Sequence, residues 1–145
     1  MQILKRFAAV FSLFVVFVSC DEGPTGPGGV NSPSGFIAAL QREGATVTRA
    51  EQMPRSSFPF FSVNAERLLV NGESVHTFDY SNESSASRDA QRISADGTSV
   101  GNSTVDWVST PHFYKRSSML VLYVGRSTET MRVLTTLLGP QIAGS

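Results

Sequence analysis

The chain has almost no cysteine: one residue in 145. That excludes an internal disulfide framework and any zinc or iron–sulfur site built from several thiolates. Histidine is nearly as scarce, with two residues, so a metal site would have to recruit carboxylates. Charge of neither sign is in excess, since twelve Lys and Arg balance twelve Asp and Glu. This excludes a strongly basic nucleic-acid binder and an acidic tail. No apolar run approaches the ~20 residues that a membrane-crossing helix needs. The length suits one domain rather than two.

What is present is strongly segmented. Lys5 and Arg6 precede Phe7 to Val18, which is apolar except for Ser12. A short positive start followed by a short apolar core reads as a secretory signal sequence. It ends without an A-x-A-like site. Instead Val18-Ser19-Cys20 places a small residue directly before the only cysteine.

Phe17-Val18-Ser19-Cys20 resembles the lipobox of bacterial lipoproteins, with Phe17 standing where Leu is usual. The resemblance implies a lipid on the Cys20 thiol, cleavage before Cys20 and acylation of the new amine. It also implies an extracytoplasmic protein anchored to a bacterial membrane. Asp21 resembles the inner-membrane retention signal of enteric bacteria. Two or more acyl chains hold stably, because each buried methylene contributes about 0.8 kcal/mol.

The expected organisation is therefore a signal sequence over 1–19, a lipidated cysteine with a Gly/Pro-rich tether over 20–32, and one globular domain over 33–145. Losing Lys5 and Arg6 leaves ten basic side chains of the twelve against twelve acidic ones. The mature chain is then slightly acidic and has no electrostatic reason to bind nucleic acid or anionic headgroups.

Within the domain, Ser32 or Ser34 can cap a helix with Pro33 in its first turn, and Gly44 can end it. Thr46 to Ala50 reads as a short strand. Phe61 to Val70 and Glu73 to Tyr80 read as strands joined by Asn71-Gly72, a strong hairpin signal. On the second strand His76, Phe78 and Tyr80 share one face, and Val75, Thr77 and Asp79 the other. Asn82 or Ser81 can cap a helix with Ala86, Ala90 and Ile93 along its seam. Thr104 to Thr110 reads as a strand interrupted by Pro111, and Met119 to Val124 as a central strand. Ser127 can cap a last helix that presents Met131, Leu134, Leu137 and Leu138 inward. The order α-β-β-β-α-β-β-α implies an α+β fold, an antiparallel sheet of about five strands with helices packed on one face.

Three groups of residues could carry function. Gly97-Thr98-Ser99-Val100-Gly101 matches G-x-S-x-G, followed by Asp106 and His112 in hydrolase order. The motif works on a strained strand-to-helix turn, whereas here it follows a helix and leads into a strand, so it reads as a Gly/Ser turn. A small serine hydrolase using Ser99 is the alternative. His76 and Asp79 point to opposite faces of one strand, which speaks against a metal site. Nothing in the pattern calls for a cofactor. Trp107, His112, Phe113 and Tyr114 form the densest aromatic and polar cluster. They could line a ligand pocket or partner surface, or form a loop folded over a sheet edge.

Gly44-Ala45-Thr46-Val47, Phe60-Phe61-Ser62-Val63, Val70-Asn71-Gly72-Glu73, the run from Trp107 to Tyr114, Val121-Leu122-Tyr123-Val124-Gly125 and Leu138-Gly139-Pro140-Gln141 together resemble a group of small, uncharacterised bacterial lipoproteins. That resemblance implies location and size but no activity. The expected function is a membrane-anchored envelope lipoprotein with a non-catalytic binding or structural domain. An inhibitor or accessory subunit of an envelope complex, with an envelope protein as partner, is a further alternative.

Overall fold

The computed structural model describes residues 27–144. The expected signal sequence and Cys20 lie outside the described residues. In chain order the elements are α1 (Pro33–Arg42), β1 (Val47–Met53), β2 (Ala65–Val70), β3 (Glu73–Asp79), α2 (Glu83–Ala90), β4 (Ser99–Val100), β5 (Ser103–Thr104), β6 (Pro111–Arg116), β7 (Met119–Val124), α3 (Thr128–Leu138) and β8 (Ala143–Gly144). Single 3-10 turns occur at Pro27–Val30 and Arg55–Ser57.

Six strands form one antiparallel sheet in the order β1-β2-β3-β7-β6-β8, and β4 and β5 form a separate ribbon. The fold is α+β with an antiparallel sheet, as the sequence implies, and the main sheet has six strands where about five are expected.

Each helix starts where a short polar side chain meets its first free N–H groups. Ser32 accepts from Gly35 N–H at 3.2 Å, Asn82 from Ser85 at 2.9 Å and Ser127 from Thr130 at 3.2 Å. Such a cap contributes about 1 kcal/mol. Between β2 and β3, Asn71 and Gly72 take φ of 51° and 84°, the two positive values that a tight hairpin demands.

Both faces of the sheet are covered. On the first face Phe36, Ala39 and Leu40 of α1 and Val133, Leu134 and Leu138 of α3 pack on Leu68, Val70, Val75, Val121 and Tyr123. Val30 joins this cluster. On the second face Ala86 of α2 and Phe61 pack with Ala65, Phe78, Phe113, Leu120 and Leu122. Two helices therefore lie on one face and α2 on the other, where a single helical layer is expected. The composition of β7 explains the need. Its residues are apolar in unbroken succession, so side chains leaving either face require cover.

The strand expected over Thr104 to Thr110 is displaced. Its residues run mainly as a loop, and β6 begins at Pro111 itself. A proline lacks the N–H that a ladder needs, and the first position of a strand is where that lack is tolerated. β6 then pairs with β7 through a Ser117-Ser118 turn in which Ser117 has φ 49°. The first hairpin strand is shorter than expected, starting at Ala65, because Phe61 N–H turns back to the Phe58 carbonyl at 3.0 Å.

Candidate functional site

The aromatic cluster of the sequence does not form one surface. Alternation along β6 sends Phe113 to the second face of the sheet and His112 and Tyr114 to the first. All three side chains are buried. Trp107 is half-buried, its ring 5.9 Å from Phe113 and 6.2 Å from Phe60, and its Nε1–H donates to the Gly97 carbonyl at 2.7 Å. These four residues are therefore core and loop cover, and the expectation of a shared ligand or partner surface is corrected. The physical reason is the two-residue period of the strand, which separates neighbours in sequence by the thickness of the sheet.

His112 is fully engaged. Nδ1 lies 2.9 Å from Gln141 Oε1 and Nε2 lies 3.1 Å from the Gly125 carbonyl, while the ring stacks on Tyr123 at 5.8 Å. Ser99 belongs to the β4–β5 ribbon, whose Val100 packs into the second-face core. Ser99 and the downstream His112 thus belong to opposite sides of the sheet. The turn before Ser99 is organised by Asp96, which accepts from Ser94 Oγ at 2.6 Å and from Thr98 N–H and Oγ at 3.1 and 2.9 Å. Those bonds hold the Asp96 carboxyl below the usual carboxylate range.

The second face carries a polar knot. Asp89 is buried and accepts from Ser62 N–H and Oγ at 2.8 and 2.7 Å, from Tyr80 Oη at 2.9 Å and from Arg92 at 3.2 Å. Burial works to raise its carboxyl, but the four donors outweigh it and hold the group below its ordinary value. Tyr80 is pushed up by burial and by the Asp89 charge. Nearby, burial and the Arg67 guanidinium push the His76 imidazole down to about 4, with Glu51 opposing them. The His76 ring packs edge-on to Phe58 at 5.0 Å, and neither His76 Nδ1 nor Arg67 Nε has a hydrogen-bond partner among the described residues.

A cleft opens on the first face, where β1, β2 and β3 run out beyond the first turn of α1. It has a volume of about 440 Å³ and is lined by Pro33, Arg49, Gln52, Asn64, Glu66, Thr77 and Asp79. Its size falls within the range of small-ligand sites, about 300–1,000 Å³. Six of the seven lining residues are polar, against the apolar cover that α1 and α3 provide along the rest of this face.

Arg49 Nη1 meets Glu66 Oε1 at 2.6 Å. Thr77 Oγ1 donates to the Glu66 carbonyl at 3.4 Å, and Asn64 Oδ1 accepts from Arg55 N–H at 2.9 Å, leaving the Asn64 amide N–H groups to donate. Asp79 is exposed and makes no side-chain hydrogen bond or ion pair among the described residues, and partial desolvation raises its carboxyl above the ordinary value.

The register of β1 builds this lining. Val47, Thr48 and Arg49 pair with Val70, Leu69 and Leu68, and then Glu51 and Gln52 pair with Arg67 and Glu66, so Ala50 is an extra residue. Strict alternation would set Glu51 beside Arg49. The bulge gives that place to Gln52 and sends Glu51 to the other face, where it meets Arg67 at 3.1 Å. The sequence signal for two of the seven lining residues was the face shared by Val75, Thr77 and Asp79, apolar at one end and polar at the other. No sequence signal marked the bulge.

No group of three His, Cys, Asp or Glu side chains placed to hold a metal occurs among the described residues. Among them no helix is long and apolar enough to cross a membrane. No family model, no curated protein and no solved structure matches the chain.

Proposed function

We propose that the chain is a lipid-anchored protein of a bacterial envelope whose one folded domain holds a polar small ligand and does no covalent chemistry on it. The anchor reading rests on Val18-Ser19-Cys20 at the end of the apolar run behind Lys5 and Arg6. The binding reading rests on one observation, the polar cleft of β1, β2 and β3 on a face that is otherwise packed. A sheet face left open and lined with amides, carboxylates and a guanidinium is suited to hydrogen-bond recognition.

Non-catalytic binding is favoured over hydrolysis by the separation of Ser99 from His112 and by the engagement of both His112 ring nitrogens. The anchor is tested by detergent phase partitioning of the full chain. The wild type enters the detergent phase, and Cys20→Ser moves to the aqueous phase. Equal partitioning of the two contradicts the anchor. A serine-reactive fluorophosphonate leaves the protein unlabelled on this reading, and labelling that Ser99→Ala abolishes overturns it.

A further inference from the structure

The balance of groups in the β1–β2–β3 cleft selects among polar ligands. We infer that the cleft takes a hydroxylated primary amine of amino-sugar size, with its ammonium on Asp79 and its hydroxyls on the amide and guanidinium groups. This rests on the reading of the cleft as a binding site.

Three carboxylate and guanidinium groups face the cleft: Arg49, Glu66 and Asp79. Arg49 and Glu66 already neutralise one another across the strands. Asp79, exposed at the end of β3, is left as the uncompensated charge, with no side-chain partner among the described residues. A cation supplied by a ligand gives Asp79 the partner it lacks, since an opposite charge within ~4–6 Å favours the charged carboxylate. A bare anion is disfavoured for the same reason.

The other walls suit hydroxyl groups. Gln52 offers both a donor and an acceptor, Asn64 keeps its amide donors, and Arg49 keeps the N–H groups not spent on Glu66. Pro33 supplies the one apolar wall. Among the described residues no aromatic side chain lines the cleft, so recognition is by hydrogen bonds and charge rather than by stacking.

The test is isothermal titration of the full-length protein in detergent micelles with glucosamine, glucose and ethanolamine. Glucosamine binds best. Glucose, lacking the ammonium, and ethanolamine, lacking the ring hydroxyls, each bind at least tenfold more weakly. Asp79→Asn brings glucosamine down to the level of glucose and leaves glucose unchanged, with circular dichroism reporting an intact fold. If glucose and glucosamine bind equally and Asp79→Asn changes neither, the cleft is a site but the amine assignment is wrong. If ethanolamine equals glucosamine, the hydroxyl recognition is wrong. If none of the three binds, both the amine assignment and the reading of the cleft are overturned.

Discussion

Arg49 and Glu66 form an ion pair at 2.6 Å across β1 and β2, although neither is the other's register partner. Arg49 stands opposite Leu68 and Glu66 opposite Gln52, with the unpaired Ala50 between. The Arg49 side chain is more than half exposed, so water screens the pair and its contribution to stability is about 1 kcal/mol or less. Arg49→Ala is therefore expected to shift the denaturant midpoint little while weakening glucosamine binding. Chemical denaturation beside titration checks this, and a large loss of stability would assign Arg49 to the fold rather than the cleft.

Asp89 ties three segments together through Ser62, Tyr80 and Arg92. Its folded carboxyl is held below the ordinary value. That stability is present above the unfolded value of about 3.9 and is lost as pH falls through the folded one. Asp89→Ala is expected to cost about 3 kcal/mol, because buried donors lose a charged acceptor. Asp89→Asn should cost less and flatten the stability curve below about pH 4. Urea melts across pH measure both effects.

His76 acts in a different window. Burial and Arg67 hold its imidazole down to about 4 from 6.5. The folded state favours the neutral ring, so this stability is whole above 6.5 and falls as pH drops toward 4. The groups facing the ring are Arg67 on β2, its register partner, and Glu51 on β1, beyond Arg67. His76→Phe is expected to remove the slope between pH 6.5 and 4 while leaving the Asp89 slope below it. Persistence of the upper slope in His76→Phe would contradict this assignment.

Gly97 and Ser99 separate structure from chemistry in the G-x-S-x-G sequence. Gly97 has φ +70°, and a Cβ there would lie 3.0 Å from Pro111 Cγ and 3.1 Å from Phe113 Cε2. Gly97→Ala is expected to destabilise by more than about 1 kcal/mol, through strain at a positive φ and crowding of the second-face core. Ser99→Ala should be within about 0.5 kcal/mol of wild type. Thermal melts of the two variants compare them directly.

Local chemistry was legible in the sequence wherever a short polar or glycine residue decided the backbone. Ser32, Asn82 and Ser127 cap the helices, and Asn71-Gly72 turns the hairpin, as their side chains and φ preferences require. The unbroken apolar run of β7 also said more than one helical layer could satisfy, since a strand buried on both faces needs cover on both. Three features were not legible. Ala50 is an ordinary residue at a bulge, and nothing local distinguishes it from a paired one. Pro111 interrupts a strand pattern in the sequence but opens β6 in the fold, because Trp107 is drawn off to the Gly97 carbonyl. The cleft draws on β1, β2, β3 and the start of α1, so its residues converge only once the register is set.

The central claim is that this domain binds through the β1–β2–β3 cleft. The most direct measurement is nitrogen-15 NMR of the full-length protein in micelles during titration with glucosamine. The backbone amides of Arg49, Gln52, Glu66, Thr77 and Asp79 should shift together and saturate, while those of Ser99, Trp107 and Phe113 stay in place. Shifts confined to Ser99, Trp107 and Phe113, or no saturable shift anywhere, would contradict it.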